Sequence, residues 1–359
     1  MLKKIEIADF TIIKSCDIEF SPGINIFLGA NATGKTHVLK LAYSIARVFE
    51  QRLRTTSTSL PGEEDGSFPE IWNEILQWKL EGVFRPDPNA GRLVNRHSNN
   101  ACATVALTAN EGRILFDLNS DGGIKIEQWR LRQNPSSIFL PAREVLSIYP
   151  GFAHAYENRE SSFDETYYDL VRALSALPLR GPRGEAAARL YQPLSDFLGG
   201  KVHLDGDRFS LTTQADGNVE AHLVAEGHRK IATLMHLIAN GSLTQDGLLF
   251  WDEPEANLNP RLTKVVADFL LRLAGEGVQI FVATHDYLLT NELSLQSEYR
   301  TDPARKAPIK FFAFDRGEDG VTVQSGATLA ELDHNPIMEE FEALYDRERR
   351  LFIEPDRAT

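Results

Sequence analysis

The chain has 359 residues with 38 Lys+Arg against 51 Asp+Glu, a formal net charge of −13, and 42% hydrophobic and 25% charged residues. These values exclude a disordered tail, a collagen-like fibre and a disulfide scaffold, and the length suits one large domain or two. Cys16 and Cys102 are too few for a zinc cluster, no apolar run approaches the roughly 18 residues of a membrane span, and no signal-peptide pattern opens the chain. The expected location is therefore the cytoplasm. A mean field this negative also argues against indiscriminate coating of nucleic acid.

Alternation predicts strands at 2–7 and 12–20, and Ser21-Pro22-Gly23 reads as a turn. Ile24 to Leu28 is a short apolar strand that enters a glycine-containing loop, and Thr36 to about Arg54 is an amphipathic helix. Residues 55–68, rich in Ser, Thr, Pro, Gly and acids, read as a surface loop. A short helix (71–80) precedes strands at 104–107, 112–118 and 124–131, and 138–140 is a further buried-strand candidate. Residues 160–198 read as mainly helical with a Gly/Pro break at 181–184, before a hairpin of 202–204 and 209–212. From 225 onward helix (228–239), strand (248–251), helix (261–274) and strand (278–283) alternate. That order implies a parallel sheet covered on both faces. Two strands (310–314, 321–324) and an amphipathic helix (about 336–351) follow, with no internal repeat or sustained heptads.

Residues 29–36 read Gly-Ala-Asn-Ala-Thr-Gly-Lys-Thr, the spacing GxxxxGK[ST] between an apolar strand and a helix. A random chain of this length matches that spacing about once in a hundred. Gly29 and Gly34 supply the tight backbone, and the N–H groups of Asn31, Ala32, Thr33 and His37 lie where a loop and helix start can cradle phosphate. Lys35 would place a cation on the β- and γ-phosphates, and Thr36 would offer a hydroxyl to Mg²⁺. The ligand expected is ATP.

Leu248-Leu249-Phe250-Trp251 is followed by Asp252-Glu253, two acids at the C-terminal end of a buried strand, where ligands gather in open α/β sheets. Asp252 is the second candidate metal ligand, and Glu253 the base or orienter for attacking water. The next apolar strand ends in Ala283-Thr284-His285-Asp286, which places His285 to donate to a γ-phosphate.

These motifs, with the opening Ile7-Ala8-Asp9-Phe10-Thr11-Ile12-Ile13-Lys14, resemble the ABC-type ATPases, most closely the RecF/SMC-like branch labelled AAA family ATP-binding proteins. The resemblance covers 1–50 and 225–290 well and the middle weakly. It implies an α/β P-loop NTPase of ABC/SMC head type: a mostly parallel sheet flanked by helices, an antiparallel β subdomain and a small helical lobe. The division expected is a head built from 1–54 and 200–359, a β-rich insert at 55–150 and a helical lobe at 151–199.

By the same resemblance, Asn257 to Asn259 form a loop along a dimer interface. Ala225-Glu226-Gly227-His228 stands at the signature loop, where Gly227 would act on the nucleotide of a second copy. Ala225 replaces the family's Ser there, so one hydroxyl contact is missing. Pro141-Ala142-Arg143-Glu144 occupies the position of the family's coupling glutamine, a plain strand-to-helix turn being the other reading. No Toprim nuclease domain is expected.

The implied function is an ATP-binding and hydrolysing switch, dimerising with itself head to head. It would govern a nuclease-like effector on a separate chain, in DNA repair or anti-phage defence. Arg172, Arg180, Arg183 and Arg189 form a candidate DNA or RNA patch, with a solvated surface as the alternative; Arg300, Arg305, Lys306 and Lys310 stand likewise. Other readings are the cytosolic ATPase subunit of a membrane transporter and a low-turnover nucleotide-binding scaffold.

Overall fold

The computed structural model describes residues 1–55, 70–98, 100–130, 136–299, 307–317 and 320–353. The expected loop at 55–68 and the basic residues Arg300, Arg305 and Lys306 therefore lie almost wholly outside the described residues.

Three strands carry the architecture: β3 (Ile24–Gly29), β11 (Leu248–Asp252) and β12 (Gln279–Thr284). They run parallel in a six-stranded sheet whose order is β14-β13-β3-β12-β11-β7, where β7 is Ser137–Leu140, β13 Ile309–Gly317 and β14 Gly320–Gly326. Only the β13–β14 pair is antiparallel. Strict alternation sorts their side chains. Ile24, Ile26, Leu28, Leu249, Trp251, Ile280 and Val282 enter one core, while Phe27, Phe250, Phe281 and Phe312 enter the other. Apart from Asn25 and Gln279, buried near the starts of β3 and β12, these strands carry no polar side chain until they end, so the chemistry falls at their C-terminal tips.

The Phe side is filled by helix α1 (Lys35–Thr55), then by a five-stranded antiparallel sheet of order β2-β1-β4-β5-β6. Its strands are β1 (Leu2–Phe10), β2 (Ile13–Glu19), β4 (Cys102–Ala109), β5 (Gly112–Asn119) and β6 (Ile124–Arg130). β1 pairs with both β2 and β4. β4–β6 thus extend the sheet of the N-terminal hairpin, and β7 joins the parallel sheet. The pairs β1–β4 and β11–β7 make these two joins. α2 (Ile71–Phe84) covers this sheet and runs four residues past its expected end.

The opposite side is covered by α4 (Glu165–Leu174), α5 (Gly181–Leu198), α6 (Glu226–Ala239), α7 (Pro260–Gly275) and α8 (Tyr287–Tyr299). The helical break falls at 175–180. Gly181 and Pro182 open α5 instead of interrupting it, because a proline in the first turn loses no hydrogen bond. A short α3 (Phe152–Glu157) precedes α4, and α8 is an element that sequence periodicity did not show. The expected hairpin is present as β8 (Gly200–Asp205) and β9 (Arg208–Thr213), with β10 (Gly217–Glu220) added alongside. α9 (Pro336–Ile353) closes the described chain and has no buried residue.

A buried ionic network ties α1 to its neighbours. Lys79 of α2, 3% exposed at its side chain, sits 2.8 Å from Glu165 and beside Asp169 of α4. Tyr43 of α1 donates to the same Asp169 at 2.6 Å, and Lys40 pairs with Asp164 at 2.6 Å.

Candidate functional site

The loop between β3 and α1 turns where Gly29 takes φ +145°; a Cβ there would stand 2.3 Å from the Phe314 carbonyl oxygen of β13. Glycine is the one residue that fits. Ala32 also adopts the left-handed region (φ 60°), and Thr33 Oγ1 donates to the Ala30 carbonyl at 2.9 Å to close the turn. Lys35, nearly buried at the first turn of α1, folds back onto this loop. Its Nζ donates to the carbonyls of Gly29 (2.8 Å) and Ala30 (2.6 Å). Burial lowers the pKa of this ammonium, and the carboxylates of Asp252, Glu253 and Glu255 oppose that shift.

Parallel pairing of β3, β12 and β11 brings three distant stretches to one edge. Thr36 Oγ1 donates to Asp252 Oδ1 at 2.9 Å, so the two expected metal ligands meet although 216 positions separate them. Burial pushes the Asp252 carboxyl up to about 6, with the Thr36 hydrogen bond opposing. The carboxylate is thus left short of compensating charge. Two hard oxygen donors, one of them an under-compensated anion, suit Mg²⁺ completed by phosphate oxygens and water.

Glu253 adopts φ 47°, in the left-handed region that a residue with a side chain enters only when held. Its N–H donates to the Ala283 carbonyl at 2.8 Å and its own carbonyl accepts from Lys230 Nζ of α6 at 3.2 Å. These bonds turn its half-exposed carboxylate towards His285, whose Nδ1 lies 3.4 Å from Glu253 Oε1. Glu255 supports the same histidine from below. Its Oε1 accepts from Thr284 Oγ1 (2.7 Å) and from the His285 N–H (3.2 Å), while burial raises its pKa. Among the described residues, Glu255 Oε2 is buried without a hydrogen-bond partner.

His37 is turned away from this cluster. Its Nδ1 sits 2.9 Å from Thr11 Oγ1, and burial lowers its pKa. It borders a groove of about 660 Å³ beside the phosphate loop, also lined by Ile12, Lys14, Arg96 and Arg316. Arg316 further donates to the Ala32 carbonyl at 3.4 Å. Asn31 and Ala32 are exposed at the loop tip.

Gly227 is buried instead of facing outward. A Cβ on it would meet Leu262 (2.9 Å), Leu258 (3.0 Å) and the Asn257 carbonyl (3.1 Å). The glycine lets α6 dock on the 257–262 stretch of the same chain. The exposed group at that helix start is Ala225, whose side chain offers no cap. Asn257 takes φ 63°, and Asn259 caps α7 through its side chain on the Leu262 N–H (3.0 Å).

Glu144, at the coupling-loop position, is committed to Arg229 of α6 (2.8 Å), whose guanidinium also donates to the Val224 carbonyl at 2.5 Å. Arg143 beside it is exposed. Of the four arginines expected as a patch, Arg172 is placed apart from Arg183 and Arg189. Arg172 lies over the Tyr168 ring, whereas Arg183 and Arg189 line a groove of about 1000 Å³ with Arg272, opposed there by Asp246 and Glu276. Lys310 is bound to the Glu19 carbonyl at 2.9 Å. Lys230 and Arg316 were not singled out from sequence; Lys230 follows the signature-loop stretch directly, and its place on an otherwise apolar face of α6 was the available signal.

The family described as "AAA domain, putative AbiEii toxin, Type IV TA system" matches residues 108–291, just over half of the chain. The DNA replication and repair protein RecF of Streptococcus thermophilus is 30% identical over 113 residues, which cover 32% of this chain and 25% of that protein. RecF of Streptococcus suis is 40% identical over 63 residues, 18% of this chain and 17% of that one. The chain thus spans about a sixth to a quarter of the length of these curated relatives. The Smc head domain with a coiled coil and joint from Pyrococcus yayanosii aligns with a TM-score of 0.53 at 10% identity, over 96% of this chain and 99% of that one. An SmcHead bound to the C-winged helix domain of ScpA aligns at 0.51 and 15% identity, over 91% and 98%. These likenesses carry the fold: a P-loop NTPase of ABC/SMC head type. With Asp252, Glu253 and His285 inside the matched stretch, the chain belongs to this AAA-domain family, in its ABC/SMC-like form.

Proposed function

We propose that the protein is an ATP-binding and hydrolysing switch that pairs head to head on ATP and governs a partner protein. The observation that carries this reading is the Thr36–Asp252 contact beside Lys35, with Glu253 and His285 at the neighbouring strand tips. Lys35 would exchange its loop carbonyls for β- and γ-phosphate oxygens. Thr36 and Asp252 would hold Mg²⁺, which when bound offsets the charge gathering on those phosphates. Glu253 Oε1 would orient the attacking water and accept its proton, and His285 would donate to the γ-phosphate. The groove lined by Ile12, Lys14, His37 and Arg316 suits the nucleoside end.

Head-to-head pairing would bring the N–H groups at Ala225 and Glu226 to the nucleotide of a second copy, in place of the buried Gly227. The 257–259 stretch would lie along that seam. The division into a head (1–54, 200–359), a β-rich insert of the head (55–150) and a helical lobe (151–199) belongs to this reading as its domain organisation. An effector on a separate chain, nuclease-like in chemistry, and a role in DNA repair or anti-phage defence fit the RecF and AbiEii-type likenesses. The ScpA-bound SMC head is the precedent for a partner protein on such a head. No described helix is long and apolar enough to cross a membrane.

The test is Glu253→Gln combined with Arg347→Glu and Arg349→Glu on the exposed α9, so that the chain starts as a monomer, measured by light scattering with and without ATP·Mg²⁺. A mass doubled by ATP and loss of phosphate release support the switch; unchanged mass in the presence of bound ATP overturns it. The exposed Ala225, without a capping side chain, favours a second reading in which turnover is slow and the nucleotide chiefly assembles the complex.

A further inference from the structure

α9 is seated at its start and bare beyond it. Asn335 caps it through its side chain on the Ile337 (3.2 Å) and Met338 (3.3 Å) N–H groups, and the Phe341 ring packs on Tyr287 of α8 at 4.1 Å. From Glu339 to Ile353 every residue is exposed. Phe341, Leu344, Tyr345, Leu351 and Phe352 nevertheless recur at i, i+3, i+4, i+10 and i+11, one sector of about 120° at 100° per residue. Phe352 is 87% exposed. A protruding helix of this length is marginal in water on its own propensity, and its apolar sector needs a surface to cover it.

The charges beside that sector say what covers it. On one flank Glu340 is followed seven residues later by Arg347; on the other, Glu342 is followed by Arg349. Each flank is therefore acidic towards the helix start and basic towards its end. A second copy laid parallel would oppose acid to acid and base to base. Laid antiparallel, it sets both acidic halves against both basic halves, with like residues related by a two-fold axis. Glu348 falls inside the apolar sector, the kind of polar position that fixes register at a cost in stability.

We propose that α9 pairs antiparallel with α9 of a second copy of this chain, in an association that needs no nucleotide. This contact is separate from ATP-driven pairing of the heads and does not rest on it. A protein holding both contacts would be tethered at α9 throughout the nucleotide cycle.

The experiment measures the mass of the full chain without nucleotide by multi-angle light scattering at tens of micromolar. Wild type is expected at the mass of two chains. Arg347→Glu with Arg349→Glu makes the flanks of α9 acidic throughout, and Glu340→Lys with Glu342→Lys makes them basic; each double variant is expected at half the wild-type mass. Mixing the two variants is expected to restore a dimer containing one of each. All four side chains are exposed, so the variants should keep the wild-type fold by near-UV circular dichroism, and restoration on mixing excludes simple misfolding. Lys35→Ala should leave the wild-type dimer intact, which separates this contact from the nucleotide switch. Wild type running as a single chain, or double variants that stay dimeric, overturns the proposal. So does a mixture that stays monomeric.

Discussion

Lys230 Nζ and the Glu253 carbonyl lie 3.2 Å apart, a contact made from inside the molecule by a lysine that is 4% exposed. Burial lowers the pKa of this lysine, while Glu226, Glu255, Glu253 and Glu144 pull it back up. The cation thus sits where α6, the β11 tip and the coupling loop converge. It holds the carbonyl of a residue in a backbone conformation that residues with side chains seldom adopt. Lys230→Met keeps the stem and removes the donor. ATP turnover is expected to fall by on the order of tenfold or more, with ATP affinity nearly unchanged, since the lysine positions Glu253 without approaching the phosphates. Phosphate release compared with nucleotide binding checks the split; equal losses in both would refute it.

The Asp252 carboxyl supplies a pH prediction. Its folded-state value of about 6 lies above the ordinary 3.8, so the folded chain holds this proton more tightly than the unfolded chain. The ionised form therefore costs stability above about pH 6, and the cost is relieved as pH falls from about 6 towards 3.8. At pH 8 without metal, Asp252→Asn should raise unfolding free energy by up to about 3 kcal/mol, and the gain should vanish near pH 4. Mg²⁺-dependent nucleotide binding should be lost in the same variant. In wild type it should weaken below pH 6, as the carboxylate takes up its proton. Denaturant melts at pH 8 and pH 4, paired with Mg²⁺ titrations, read both effects.

Gly227→Ala tests packing at the start of α6. The new methyl meets two leucine side chains and the Asn257 carbonyl at 2.9–3.1 Å, closer than a Cβ normally comes. A loss of about 1–3 kcal/mol is expected, together with displacement of the 257–259 stretch. If ATP-driven dimerisation is lost while ATP binding by the single chain survives, the damage lies at the seam. A variant with unchanged melting temperature would mean that the helix slides without cost.

Lys79→Met addresses the buried network behind α1. Removing the cation leaves Glu165 and Asp169 facing each other with Arg47, 3.9 Å from Asp169, as the remaining countercharge, which should cost about 3 kcal/mol. The double variant with Asp169→Asn should recover part of that loss, because one uncompensated charge has then also gone. Urea melts of the two variants decide it.

The strand tips were legible from sequence because a strand buried on both faces shows itself as an apolar run that ends abruptly. Ile24 to Leu28, Leu248 to Trp251 and Val278 to Ala283 all did so, and the chemistry sits one or two residues past each end. The phosphate loop was legible for a related reason: Gly29 and Gly34 occupy backbone shapes that few residues can hold. The membership of the antiparallel sheet was not legible, because nothing in an alternating strand such as β4 names its partner across some 90 residues. Gly227, expected to act on a second copy's nucleotide, packs against Leu258 and Leu262 of its own chain; a glycine's signature is the same whether a ligand or a neighbouring helix comes close. α8 escaped notice because its apolar residues spread around the helix and leave no periodic stripe.

Gln279 begins β12, and its side chain is fully buried. Its Oε1 accepts from the Leu2 N–H at 2.7 Å, while its Nε2 donates to the Leu2 and Ser21 carbonyls, each at 2.8 Å. One amide thereby rivets the two sheets together at the end of β12 opposite His285. Like pages bound at the spine, they can slip only if all three bonds yield at once. Motion generated at the nucleotide edge would then be steered away from the antiparallel sheet and into the helices on the other side of the molecule.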